Sequence, residues 1–110
     1  MEGLVKGDII VIEFPFSDLK CAKRRPALVV KIPKGEDIII AQITGSSYEP
    51  LVEIEINAKD FRSGSLKRDS FVRIDKIASI EKSLVKYRAG SLKQEKFNQI
   101  LDGICIFLKS

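Results

Sequence analysis

Lys20, Lys23, Arg24 and Arg25 put four cations within six residues, directly ahead of the apolar run Ala27-Leu28-Val29-Val30. Chemistry at phosphate needs a charge of this kind held still, and Arg25 is the one best placed for it. Pro26 biases its backbone towards extended geometry, and the run that follows reads as a rigid strand. A guanidinium is planar, forked and always charged, so it meets phosphate oxygens better than an ammonium does. The plain alternative is a solvated basic loop. A second group answers Arg25. Ile38-Ile39-Ile40-Ala41-Gln42-Ile43 reads as a strand ending at Thr44, and Pro33-Lys34-Gly35 is a turn signal short enough to join it to the strand after Pro26. That hairpin brings the start of one strand and the end of the other together, and so a fixed cation and a hydroxyl. Thr44 can donate to a phosphate oxygen, with backbone donors of Gly45 and Ser46 beside it. Thr44 read without Arg25 would be a turn-stabilising residue.

Composition narrows the chemistry further. The 110 residues include no histidine, which removes the imidazole acid–base pair, the Ser-His-Asp triad and the commonest metal sites. No metal or other cofactor is called for. Cys21 and Cys105 are far apart and form no Cys-x-x-Cys pattern; both are expected as free thiols, Cys21 in a loop and Cys105 in a buried helix. The net charge of +4 favours a polyanionic partner, which gives up counterions to a basic surface. No apolar run approaches the roughly 20 residues that span a bilayer, and the N-terminal residues carry no export pattern. A cytoplasmic protein with no membrane association is expected.

One domain over residues 1–110 has to position these groups. Ile9-Ile10-Val11-Ile12 is a β-branched strand. Phe14-Pro15-Phe16-Ser17-Asp18 breaks it, and a polar loop runs from there through Arg25. Pro26 then opens the second strand as its first residue. Val52, Ile54 and Ile56 alternate with Glu53, Glu55 and Asn57 as a half-exposed strand. Residues 57–61 fit a single helical turn. Phe71–Ile74 and Ile77–Ile80 read as two further short strands. The period then changes: Leu92, Phe97, Ile100, Leu101, Ile104, Cys105 and Leu108 recur at helical spacing, and Ser91 with Gln94 has capping-box spacing for the start of a helix. Five to seven short strands and one closing helix predict a mostly β fold, a small, strongly bent antiparallel sheet or barrel with a C-terminal α-helix.

Gly7-Asp8-Ile9-Ile10, Phe14-Pro15-Phe16-Ser17-Asp18-Leu19 and Arg24-Arg25-Pro26-Ala27-Leu28-Val29-Val30 together resemble the N-terminal half of the MazF/PemK toxins. Gln42-Ile43-Thr44, the segment Leu66–Arg73 with Lys76-Ile77, and Gly90-Ser91-Leu92 resemble later segments of that family, in the same order. The resemblance implies an SH3-like barrel, usually a homodimer, neutralised by a cognate antitoxin. It also implies metal-independent, sequence-specific cleavage of single-stranded RNA (mRNA). The family's catalytic arginine falls on Arg25 and its threonine on Thr44. The loop Ser17–Ala22 departs from the Gly-Ser-Glu-Gln-like loop of many members.

RNA carries its own nucleophile, the 2′-OH. Arg25 is expected to offset charge on the non-bridging phosphate oxygens, and Thr44 to orient the phosphate for in-line attack. A guanidinium is a poor general base near neutrality, which leaves Asp18 as a candidate proton acceptor. Ser17, Asp18, Lys20, Lys23, Arg24 and Ser46 are expected to contact the RNA. Of Phe16, Tyr48 and Phe61, Tyr48 is the candidate for stacking on an unpaired base. Two rival classes remain: a basic SH3-like module that binds nucleic acid without cutting it, and a toxin of the same fold that binds DNA gyrase.

Overall fold

A computed structural model describes residues 3–14 and 23–110, with the backbone alone for Phe14 and Lys23. Among the described residues, seven strands form one antiparallel sheet: β1 (Asp8–Phe14), β2 (Lys23–Lys31), β3 (Asp37–Thr44), β4 (Glu53–Ile56), β5 (Phe61–Gly64), β6 (Ser70–Glu81) and β7 (Val85–Leu92). Their order across the sheet is β4-β6-β3-β2-β1-β7-β5. The sheet curls into a half-barrel, and one helix, α1 (Gln94–Lys109), follows it. This is the mostly β architecture with a closing helix that the sequence predicts.

The β-branched runs are apolar at every position because the central strands are covered on both faces. Ile9, Leu28, Val30, Ala41 and Ile43 join a core with Val72 and the helix residues Phe97, Ile100 and Ile104. Their neighbours Ile10, Ile12, Ala27, Val29, Ile38 and Ile40 build a second core on the other face. Alternation along a strand sends successive side chains to opposite faces, so a strand buried twice shows no polar phase. Gly7, at φ 93°, makes the tight approach to β1. Its N–H donates to Val29 O and its carbonyl accepts from Leu92 N, both at 2.9 Å, which ties the strand's start to β2 and β7.

Several expectations are corrected. Lys23, Arg24 and Arg25 belong to β2 rather than to a loop, opposite Phe14, Glu13 and Ile12 of β1. Pro26 therefore lies inside β2, not at its first residue. The ladder to β3 begins at Ala27↔Gln42. At Pro26 the strand has its paired neighbour on the β1 side alone, where a missing N–H is tolerated. The two short strands expected between Phe71 and Ile80 are one long strand, β6. Val52 sits in a 3-10 turn, not in the alternating strand. Residues 57–60 make the expected turn, with Asn57 and Asp60 capping it reciprocally. β5 is four residues with no apolar period and escapes sequence reading, whereas the alternation of Val85, Tyr87 and Ala89 in β7 was a legible strand signal that the reading missed.

The start of α1 also differs. Ser91 is the penultimate residue of β7, its hydroxyl donating to Asp8 Oδ1 at 2.6 Å. Lys93 precedes the helix without a side-chain cap. Phe97, Ile100 and Ile104 are buried as expected, whereas Cys105 and Leu108 are exposed. The helix lays a narrow stripe on the sheet, and these two residues turn past its edge.

Candidate functional site

The hairpin geometry expected for Arg25 and Thr44 is present in the register. Ala27 faces Gln42, so two residues further on each strand the backbone reaches Arg25 and Thr44. Both side chains line one pocket of about 160 Å³, together with Gln42, Ile43, Tyr48, Arg73 and Lys76. Ala27, Val29, Ile38 and Ile40 occupy the apolar core on this strand phase. Arg25, Gln42 and Thr44 continue the same alternation where the core gives out, so apolar positions become polar ones at the sheet's end.

A bulge in β6 supplies the rest of the pocket. Ala41 pairs with Ile77 and Ile43 with Val72, so Arg73, Ile74, Asp75 and Lys76 all lie opposite Gln42. Extra residues on one strand bend it and redirect its side chains, and Arg73 and Lys76 enter the pocket this way. Arg73 Nε donates to Asp75 Oδ1 at 2.9 Å and Nη2 to Oδ2 at 2.8 Å. This two-pronged hydrogen bonding holds the Asp75 carboxyl below the usual carboxylate range and raises Arg73. Its Nη1 edge is left for a ligand. Arg73 and Lys76 were missed as site residues: a four-residue bulge has no periodic signature, and the alternation of β6 assigns neither to an end of the sheet.

The loop after β3 is held by one carboxylate. Glu53 accepts from Ser47 Oγ at 2.7 Å, from Tyr48 N at 2.8 Å and from Glu49 N at 3.0 Å. Burial pushes its pKa up, but the hydrogen bonds from Glu49, Tyr48 and Ser47 and the charge of Arg73 outweigh this, and the carboxyl lies below its ordinary value. Tyr48, anchored through its backbone, leaves its side chain 73% exposed at the pocket. Thr44 Oγ1 accepts from Ser46 N at 3.3 Å and donates to Ser46 O at 3.1 Å. The hydroxyl thus makes the turn contact considered as the plain alternative, while lining the pocket.

The remaining expected contacts divide. Arg24 is exposed and lines a second pocket, on the other side of Arg25. Ser46 contributes its backbone to the Thr44 turn. Lys23 is placed in β2 by its backbone pairing. Ser17, Asp18 and Lys20 lie outside the described residues, as do Phe16 and Cys21. Phe61 is buried in the core beneath α1. Among the described residues, no three His, Cys, Asp or Glu side chains gather as a metal site would require, and no helix is long and apolar enough to cross a membrane.

Residues 5–108 match the family model described as the PemK-like, MazF-like toxin of type II toxin-antitoxin systems. The chain belongs to this family. No curated protein matches it by sequence. Among solved structures, an endoribonuclease in complex with its cognate antitoxin from a Mycobacterial species aligns at TM-score 0.76 and 14% identity, over 97% of this chain and 96% of that one. The Mycobacterium tuberculosis toxin MazF-mt6 aligns at TM-score 0.71 and 19% identity, over 93% and 96%. A further Mycobacterial endoribonuclease aligns at TM-score 0.69 and 18% identity, over 99% and 94%. At such identities the likeness is one of fold. The PemK/MazF-like chain keeps that fold almost end to end.

Proposed function

We propose that this PemK/MazF-like protein is an endoribonuclease toxin that cuts single-stranded mRNA at short sequences, with Arg25 and Thr44 acting on the scissile phosphate. The observation that carries the reading is the shared pocket: Arg25, Thr44, Arg73 and Lys76 converge on a volume of about 160 Å³. Three cations and a hydroxyl facing one small space suit a phosphate in an unpaired strand. Two solved structures of the same fold are endoribonucleases, which agrees with it.

In this mechanism the substrate's 2′-OH attacks the adjacent phosphorus and the 5′-oxygen of the next nucleotide leaves. The products are a 2′,3′-cyclic phosphate and a 5′-hydroxyl end, the departing oxygen taking its proton from water. Arg25 and the free edge of Arg73 neutralise charge building on the non-bridging oxygens. Thr44 keeps accepting from Ser46 N and transfers its own donation from Ser46 O to a phosphate oxygen, which fixes the in-line geometry. A guanidinium is a poor base. Asp75 accepts from Arg73 through both its oxygens and holds that cation at the pocket, while Asp18 is kept as the proposed acceptor of the 2′-OH proton.

The reading includes an acidic antitoxin segment that orders over the basic pocket and excludes RNA, pairing of two toxin copies, and action in the cytoplasm. The test is cleavage of a set of fluorogenic RNAs in EDTA. Wild type is expected to release fragments ending in 2′,3′-cyclic phosphate. Intact RNA across the whole set would remove the ribonuclease reading.

A further inference from the structure

Arg25 stands between two pockets, and the one shared with Thr44 accounts for only one of them. The other, of about 370 Å³, has a different character. Its floor is a row that the strand register builds. Val11 of β1 pairs with Tyr87 of β7 on one side and with Pro26 of β2 on the other. The β2–β3 register, extended by one residue beyond Ala27↔Gln42, puts Ile43 next to Pro26. Tyr87, Val11, Pro26 and Ile43 therefore run side by side across four strands, and all four line this pocket.

Over that apolar row stands a rim of charge. Arg24 and Arg25 border it from β2, and Lys67 and Arg68 from the segment ahead of β6. The Arg68 guanidinium lies directly on the backbone of Gly45. A Cβ at that glycine would come within 2.6 Å of Nη2 and 2.8 Å of Nε, so the missing side chain is what lets the planar group settle there. Tyr87 is 49% exposed, an unusual position for an aromatic ring that already touches an apolar floor.

We infer that this pocket seats one unpaired base of the RNA, next to the phosphate held by Arg25, with Tyr87 and Arg68 as its stacking surfaces. The inference rests on the ribonuclease reading and adds a subsite to it. A phosphate alone would gain nothing from the apolar row, and an apolar side chain would gain nothing from four surrounding cations. A base joined to a phosphodiester backbone uses both, stacking its face on planar groups while the rim holds the flanking phosphates. Arg25 lines both pockets, which fixes the order: base in the larger, scissile phosphate in the smaller.

Binding of a 2′-fluoro RNA strand tests the subsite, because such a strand has no nucleophile and is not cut. Fluorescence anisotropy is measured for wild type, Tyr87→Ala, Tyr87→Phe and Arg68→Ala, with an abasic position moved along the strand. Stacking predicts that Tyr87→Ala weakens binding roughly five- to a hundredfold, while Tyr87→Phe stays near wild type. At one position the abasic change weakens wild type by a similar factor and Tyr87→Ala no further; Arg68→Ala shows a smaller loss at that same position. Unchanged binding by Tyr87→Ala, equal sensitivity at every position, or no binding by wild type would each overturn the subsite. If wild type fails to cut RNA but shows this pattern, the ribonuclease reading falls and the subsite stands. If wild type cuts and the pattern is missing, the subsite alone falls.

Discussion

Two aspartate–arginine pairs, one joining residues 80 apart in the chain and the other residues two apart, invert each other's logic. In the first, Asp8 is the buried partner, 1% exposed at its side chain, and Arg88 is 42% exposed at a single contact of 3.2 Å. Asp8 also receives Ser91 Oγ at 2.6 Å and Val5 N at 2.9 Å, so its carboxylate knots β1, β7 and the preceding turn. In the second, Asp75 props Arg73 through two hydrogen bonds, and the arginine is the member that faces a pocket. One pair spends its charge on holding the chain together. The other spends it on presenting a cation. The same two residue types thus do opposite work: a carboxylate sealed inside the protein with three hydrogen bonds is structural, and a guanidinium held by its partner at the wall of a pocket is available.

This contrast sets how variants should behave, beginning at the site. Arg25→Ala should cut the rate of RNA cleavage by about 10²–10³, near 3–4 kcal/mol of transition-state stabilisation, with thermal unfolding unchanged, because Arg25 is exposed. Asp75→Asn should lower cleavage by roughly tenfold through loss of the charge-assisted fork that holds Arg73, with stability changed by about 1 kcal/mol or less. Asp8→Asn should do the reverse. It should cost about 2–3 kcal/mol of folding stability in urea melts and leave cleavage by the folded fraction near wild type. An active-site loss without a stability loss at Asp8, or the opposite at Asp75, would dissolve the distinction between the pairs.

The pH dependence sharpens it. Hydrogen bonds from Arg73 hold the Asp75 carboxyl below the ordinary carboxylate range. A depressed folded-state pKa gives stability that is present above the unfolded value and is lost as pH falls through the folded one. Asp75 is therefore ionised throughout the neutral range, and cleavage should show no limb from this group between about pH 5 and 8. The smallest effect expected is at Cys105. Its thiol is exposed on α1, so the native protein should react with a maleimide at that position without unfolding, and Cys105→Ser should be silent in both assays.

Much of this was legible in the sequence, for identifiable reasons. The cores over β1, β2 and β3 were visible because strands buried on two faces concentrate β-branched residues without interruption. The meeting of Arg25 and Thr44 was legible because a short turn at Pro33–Gly35 makes their position a matter of register. Arg73 and Lys76 were not, since a bulge changes which way a side chain points without changing composition. Ser91 had capping spacing with Gln94, yet its hydroxyl is taken by buried Asp8. That contact is 83 residues distant in the chain, and local spacing cannot see it. Cys105 followed the apolar period of α1 but fell beyond the sheet that the helix covers.

Whether Arg25 and Thr44 serve one phosphate is open to a direct measurement: the single-turnover cleavage rate of a double-mutant cycle, comparing wild type, Arg25→Ala, Thr44→Ala and the double variant. Groups that grip the same phosphate should be strongly non-additive, so the double variant should be little slower than Arg25→Ala alone. Losses that simply multiply, or a fully active Arg25→Ala, would contradict the account.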